Sequence, residues 1–245
     1  MPDLSAAATL DLWEAARELG SVERALVLAA AAEPAGADEI ARLPLGRRDG
    51  RILGLHAALA GPRLEATAAC PACGEQAEFS VDTGELLERD ADVERPASVE
   101  VDGFVVHWRP PDSSDVSAAA VTNDATAAEN VLLARCVRSA TRRDAAVEAT
   151  ALPAHVRAEV SRAMSRADPL AEVLVDVVCP ACETEFVADL DVGAFVWAEV
   201  HARARCLLHE VDVLARAYGW TEAEVLALGD RRREEYLTLA ADGGP

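Results

Sequence analysis

Cysteine is the residue type in this chain whose spacing points most directly at chemistry. Cys70-Pro71-Ala72-Cys73 and Cys179-Pro180-Ala181-Cys182 are two copies of one tetrapeptide, and overlaid without a gap they match again at Asp82 and Asp191 and at Gly84 and Gly193. Two Cys-x-x-Cys knuckles supply four thiolates, the donor set of a closed tetrahedral zinc site, because zinc imposes no geometry of its own and takes soft sulfur readily. Proline after each first cysteine suits a tight turn, where its fixed φ helps and its missing N–H costs nothing. Residues 64–68 and 77–81 around the first knuckle, and 173–177 and 185–189 around the second, read as short extended runs. The predicted ligands of one structural ion are therefore Cys70, Cys73, Cys179 and Cys182.

The separation is unusual for such a site, since 105 residues lie between Cys73 and Cys179, against roughly 15–20 in a simple zinc ribbon. Closing a flexible loop of that length costs only about 4 kcal/mol, whereas structural zinc binding is worth roughly 10–16 kcal/mol in small peptides. Metal can win, the more so if the intervening chain folds by itself. Three rival readings of the cysteines stand beside zinc. Thioredoxin-like redox pairs open a helix after a strand, but both copies here lead into strand-like alternation. Disulfides would leave Cys136 and Cys206 over, and Met1 to Leu10 has no positively charged leader region. Iron also takes four thiolates, and Cys-Pro-x-Cys-Gly at the first knuckle suits it.

Composition bounds the remaining classes. The chain has 245 residues, a formal charge of −20 and 23 basic residues, all arginine, a usage that fits GC-rich coding. Such acidity opposes a nucleic-acid surface, which needs a basic stripe to displace counterions, and suits a solvated surface or a basic protein partner. No apolar run reaches the length of a membrane span; the run from Ala25 to Ala32 stops at Glu33 and Pro34. The expectation is a cytoplasmic protein. His201 and His209 lie eight residues apart, His209-Glu210 lacks the second histidine of a zinc hydrolase motif, and no Ser/His/Asp order or phosphate-cradling glycine loop stands out. The expectation is no enzyme.

The elements that must bring the knuckles together are mostly helical. Residues 5–33 carry two helical patterns divided at Leu19-Gly20-Ser21, with Ser21 as the expected cap of the second, and a further helix runs through Ile52, Leu53 and Leu59 to Gly61-Pro62. Residues 85–100 read as a linker or short helix. Residues 99–108 read as a hairpin turning at Asp102-Gly103. Residues 112–143 read as helical throughout, and a second insert helix opens at Leu152-Pro153 and breaks at Asp168-Pro169. Asp191 caps the longest helix, roughly residues 192–218, Gly219 ends it, and Thr221-x-x-Glu224 is a capping box.

The expected fold class is α+β: mainly helical, with a small antiparallel β layer around a four-cysteine, zinc-ribbon-like site and a long C-terminal helix. The expected divisions are 1–62, N-terminal and helical; 63–111 with 170–191, a discontinuous β region holding the knuckles; 112–169, a helical insert; and 192–245, the long helix with a helix-turn-helix tail.

Several stretches together resemble the baseplate assembly proteins of T-even-like contractile-tailed phages and of related bacterial contractile injection systems. They are Leu43-Pro44-Leu45-Gly46-Arg47-Arg48-Asp49 with Leu53, Gly61-Pro62-Arg63-Leu64 before the first knuckle, both knuckles, the run from Leu208 to Glu224 with Tyr218-Gly219-Trp220, and beyond it Arg231, Arg232, Arg233 and Tyr236. Residues 54–61 depart from the family pattern, which has an arginine and a bulkier aromatic there. The resemblance implies a non-enzymatic baseplate or tail assembly component that acts through protein contacts. The residues singled out for such contacts are Tyr218, Trp220, Arg231, Arg232 and Tyr236 at the C-terminal end, and Arg47 and Arg48 near the start. Each has a plainer reading: Trp220 can staple its turn, and the arginines can be solvated or ion-paired. The alternative function is a zinc-ribbon nucleic-acid-binding or transcription accessory protein.

Overall fold

The computed structural model describes residues 5–33, 36–91, 97–122 and 124–242. In chain order it contains α1 (Ala6–Ala16), α2 (Ser21–Ala32), α3 (Ala37–Ala41), α4 (Leu45–Ala60), β1 (Arg63–Ala69), β2 (Gln76–Asp82), α5 (Thr83–Ala91), β3 (Ser98–Val101), β4 (Phe104–Trp108), α6 (Ser113–Ala120) and α7 (Ala125–Cys136). There follow β5 (Val137–Arg142), β6 (Ala145–Ala146), α8 (Ala154–Ala167), β7 (Val173–Val178), β8 (Glu185–Leu190), α9 (Val192–Tyr218), α10 (Glu222–Leu226) and α11 (Asp230–Ala241). The protein is α+β and mainly helical, with small antiparallel sheets and a long helix toward the C-terminus.

Helix α9, 27 residues long, is the axis of the molecule. Asp191 accepts a hydrogen bond from Ala194 N at 2.8 Å, and Gly219, in the left-handed region at φ 71°, closes the other end. Val192, Val196, Val200, Ala204, Leu207 and Leu214 recur at three- to seven-residue intervals along one buried stripe, the pattern of a helix packed on one face. Its first half meets Leu28, Ile40, Ile52 and Leu53 of α2, α3 and α4 in the main core, and its second half meets Leu10 of α1 and Leu226 of α10. Each of the wholly buried aliphatic side chains contributes about 1.5–3 kcal/mol by leaving water.

Both knuckles sit on two-stranded hairpins, β1–β2 and β7–β8, that among the described residues pair only within themselves. Each hairpin runs into a helix, α5 or α9, so the molecule contains the unit strand, knuckle, strand, helix twice. Leu64 and Val173 are buried at matching positions of the two units, and Asp82, like Asp191, accepts from the start of its following helix, at Gly84 N (2.8 Å).

The structure departs from the sequence reading in three places. The hairpin β3–β4, which turns at Asp102 and Gly103 with both φ angles positive, does not join the knuckle hairpins, so the expected 63–111 region divides. It pairs instead with β5 and β6 in a four-stranded sheet, order β3-β4-β5-β6, backed by α8 through Phe104, Val106, Trp108, Val156 and Val160. The insert is accordingly not wholly helical: residues 137–142 are a strand, because Val137, Ser139 and Thr141 complete the free edge of β4, and cross-strand pairing outweighs a weak helical pattern. Ser21 is the first residue of α2, with Gly20 before it and no side-chain cap. Residues 83–91 form α5, in keeping with the short helix that was one of the two readings of 85–100, and residues 92–96 lie outside the described residues.

Candidate metal centre

Each knuckle is a closed turn held by two backbone hydrogen bonds. In the first, Cys70 N donates to Glu75 O (2.8 Å) and Gly74 N to Cys70 O (2.8 Å); in the second, Cys179 N donates to Thr184 O (3.0 Å) and Glu183 N to Cys179 O (3.0 Å). The chain reverses through a left-handed residue in both, Gly74 at φ 78° and Glu183 at φ 60°. A Cβ on Gly74 would meet no atom within 4 Å, so the backbone angle and not space favours glycine there.

The two claws close on one another. Cys70 Sγ lies 3.7 Å from Cys182 Sγ and Cys73 Sγ 3.6 Å from Cys179 Sγ, and all four sulfurs fall within 4.8 Å of one another. A tetrahedral ion with metal–sulfur bonds of about 2.3 Å has sulfur–sulfur edges of about 3.8 Å, so the donor set fits such an ion. A disulfide needs about 2.05 Å, and all six cysteines are free thiols. Both knuckles lie between strands, not at a helix start as a thioredoxin-like pair would. One sulfur of each claw, from Cys70 and Cys179, comes from a buried residue, and the other, from Cys73 and Cys182, from an exposed one. The centre therefore sits at the rim, where the hairpins meet.

What presses the hairpins together is a small apolar cluster of Ala77, Val177 and Ala188 with Phe79, Val175 and Phe186 around them. At equivalent positions of the two units the large and small residues are exchanged: Ala77 corresponds to Phe186 and Phe79 to Ala188. Each phenylalanine is thus matched by an alanine across the repeat, which keeps the packed volume constant.

The thiols are electrically coupled. The Thr184 hydroxyl, 3.3 Å from Cys182 Sγ, and the Thr184 backbone hold the Cys182 thiol down to about 6, with Cys73 and Cys179 adding to the effect. The Glu75 backbone favours the Cys73 thiolate, but the thiols of Cys182, Cys179 and Cys70 together push it up to about 12. One proton leaves readily and another is held, because thiolates at this distance repel. A divalent cation among them removes that penalty, and its shell would be filled by Cys70, Cys73, Cys179 and Cys182.

The residues expected to meet partners divide differently. Tyr218, Trp220 and Tyr236 form one aromatic cluster: Trp220 stacks on Tyr218 with ring centroids 4.8 Å apart and meets Tyr236 edge-on at 4.8 Å. Trp220 therefore staples the α9–α10 turn to α11. Arg231 and Arg232 are exposed on α11. Arg47 is half-exposed and reaches Asp90 at 3.2 Å. Arg48 is largely buried, bonded to Asp49 Oδ1 (2.7 Å) and Ser113 Oγ (3.1 Å), the ion-paired arrangement that was its plainer reading.

Several polar groups are buried inside the fold. Arg233 is buried, donates to Glu210 Oε2 at 2.5 Å and Leu228 O at 2.9 Å, and is bonded to Asp230. His56 is wholly buried, with Nδ1 2.6 Å from Glu199 Oε2. Asp115, buried at the start of α6, receives Arg109 Nη1 at 2.5 Å and Arg135 Nε at 2.7 Å. Two of these had a legible cue: His56 stands on a helix among apolar residues, and Asp112 and Asp115 stand at capping-box spacing.

Among the described residues no helix is long and apolar enough to cross a membrane. In comparisons with protein-family models, curated proteins and solved structures, nothing matches this chain.

Proposed function

We propose that this protein is a zinc-stapled, non-enzymatic assembly or structural component of the baseplate of a contractile, phage-tail-like injection system, acting by protein–protein contacts. The observation that carries the reading is the four-sulfur cluster that ties the hairpin entering α5 to the hairpin entering α9. A centre of that kind organises a scaffold. With four thiolates in its shell it keeps no open position for a substrate. Zinc is preferred to iron because a structural role asks for a redox-inert ion whose geometry the ligands set. The family resemblance at 43–49, the knuckles and 208–224 supplies the baseplate, and the charge of −20 favours a basic protein surface over nucleic acid as partner.

The test has two arms. Elemental analysis of freshly purified protein is expected to give one zinc per chain, and an iron content matching the protein would replace the ion. A tagged chain expressed beside the tail genes of its own genome is expected to co-purify with baseplate or tail proteins. Recovery of none, with the chain stable and abundant alone, overturns the assembly role.

A further inference from the structure

Five large apolar side chains are exposed among the described residues, and three of them, Leu174 (52%), Val178 (60%) and Val187 (57%), belong to one hairpin. Strand alternation places them on its outer face, the side away from Val177 and Ala188. Val187 pairs with Asp176, and Leu174 and Val178 lie two residues to either side of Asp176, so the three are diagonal neighbours around a common centre. The remaining two, Val121 and Leu239, belong to other segments of the chain.

The repeat provides an internal comparison. The equivalent positions in β1–β2, the same fold around the same kind of knuckle, are Glu65, Ala69 and Glu78. The hairpin architecture therefore does not require apolar residues at these places, and the second unit alone carries them. Each of the three is paired across the ladder with a carboxylate, Leu174 with Asp189, Val187 with Asp176 and Val178 with Glu185; these acids are exposed and have no ion-pair partner among the described residues. A face on which apolar side chains alternate with unpaired carboxylates is complementary to a protein surface on which aliphatic side chains alternate with Arg or Lys. A second copy of this chain fits poorly, because a two-fold contact through this face would set the three carboxylates of one copy against those of the other.

The geometry points to the outer face of β7–β8, centred on Leu174, Val178 and Val187, as the docking surface for a basic protein partner. This deepens the assembly reading and rests on it for the partner's identity, but the face can be tested alone. The full chain as purified is titrated with a labelled hexapeptide alternating Arg and Val, and with its Glu–Val counterpart. The expected result is binding of the basic peptide at least about tenfold tighter than of the acidic one, weakening in high salt, with amide shifts confined to β7 and β8. The variant Leu174→Ser/Val178→Ser/Val187→Ser, which removes the apolar side chains of this face without adding charge, is expected to lose that binding while keeping its metal content and melting temperature. Should that variant fold poorly, Asp176→Asn/Glu185→Gln/Asp189→Asn is expected to lose the preference for the basic peptide.

Equal binding of the two peptides, or binding untouched by these variants, overturns the inference. So does wild-type dimerisation, or adsorption to vesicles, that the first variant abolishes. Tail proteins that still co-purify after such a failure leave the assembly role standing without this face. A responsive face with no tail protein recovered leaves the face and removes the assembly role.

Discussion

Two residues set the local limits of the knuckles and the insert. Glu183 occupies the left-handed position that Gly74 fills in the other claw. An L-residue there carries about 1–2 kcal/mol of strain, and glycine gives back about 0.5–1 kcal/mol of that as extra chain entropy. Glu183→Gly is therefore expected to raise stability by about 0.5–1 kcal/mol, read as a higher melting temperature of the metal-loaded protein. Burial alone would raise the pKa of Asp115, but Arg109, the Asp112 backbone and Arg135 outweigh it and hold the carboxyl down to about 2. Its folded pKa lies below the ordinary 3.8, so its contribution is present above about pH 4 and is lost as pH falls through about 2. After discounting for solvent at the half-exposed Arg135, that contribution is about 1–2 kcal/mol. Asp115→Asn is expected to flatten the acid limb of the stability–pH curve by about one proton, as measured by denaturant melts at stepped pH.

At the scale of elements, the C-terminal helices are held to α9 by two unlike devices, the Tyr218–Trp220–Tyr236 stack and the buried Arg233 with its carboxylates. A buried ion pair adds little net stability, yet removing one partner leaves an uncompensated charge. Glu210→Gln is expected to cost about 2–4 kcal/mol and to expose α11 to limited proteolysis before the rest of the chain. The elements were legible in the sequence wherever their signals were local. Asp191 and Gly219 mark both ends of α9, and Thr221 with Glu224 forms the expected box, with Glu224 N donating to Thr221 Oγ1 at 3.3 Å. Strand β5 was not legible, because its Val-x-Ser-x-Thr alternation becomes decisive only beside the open edge of β4.

For the whole molecule, the four-cysteine cluster would act, with an ion bound, as a long-range fastening. It brings together segments more than a hundred residues apart, and the binding energy of an ion held there would be folding energy. Cys179→Ser, or a strong chelator, is expected to lower stability by several kcal/mol and to loosen both hairpins and the start of α9 together. Hydrogen exchange of β1, β2, β7 and β8 with the metal content followed in parallel measures this. Protection lost in one hairpin only would mean that the claws hold separately. The four-stranded sheet with α8 has its own core and is expected to keep its protection in the same experiment.

The repeated Cys-Pro-Ala-Cys spacing, the capping residues and the periodicity of α9 depend on contacts within a few residues, so the amino-acid sequence by itself determined which four cysteines form the candidate site, both ends of α9 and the α+β class. That Cys70 meets Cys182 and Cys73 meets Cys179, that β3–β4 leaves the knuckles for another sheet, and that Arg48 and Arg233 turn inward were decided only by the tertiary structure. Each of these depends on which apolar faces meet across distant parts of the chain, and that choice is made by the packing of the whole core.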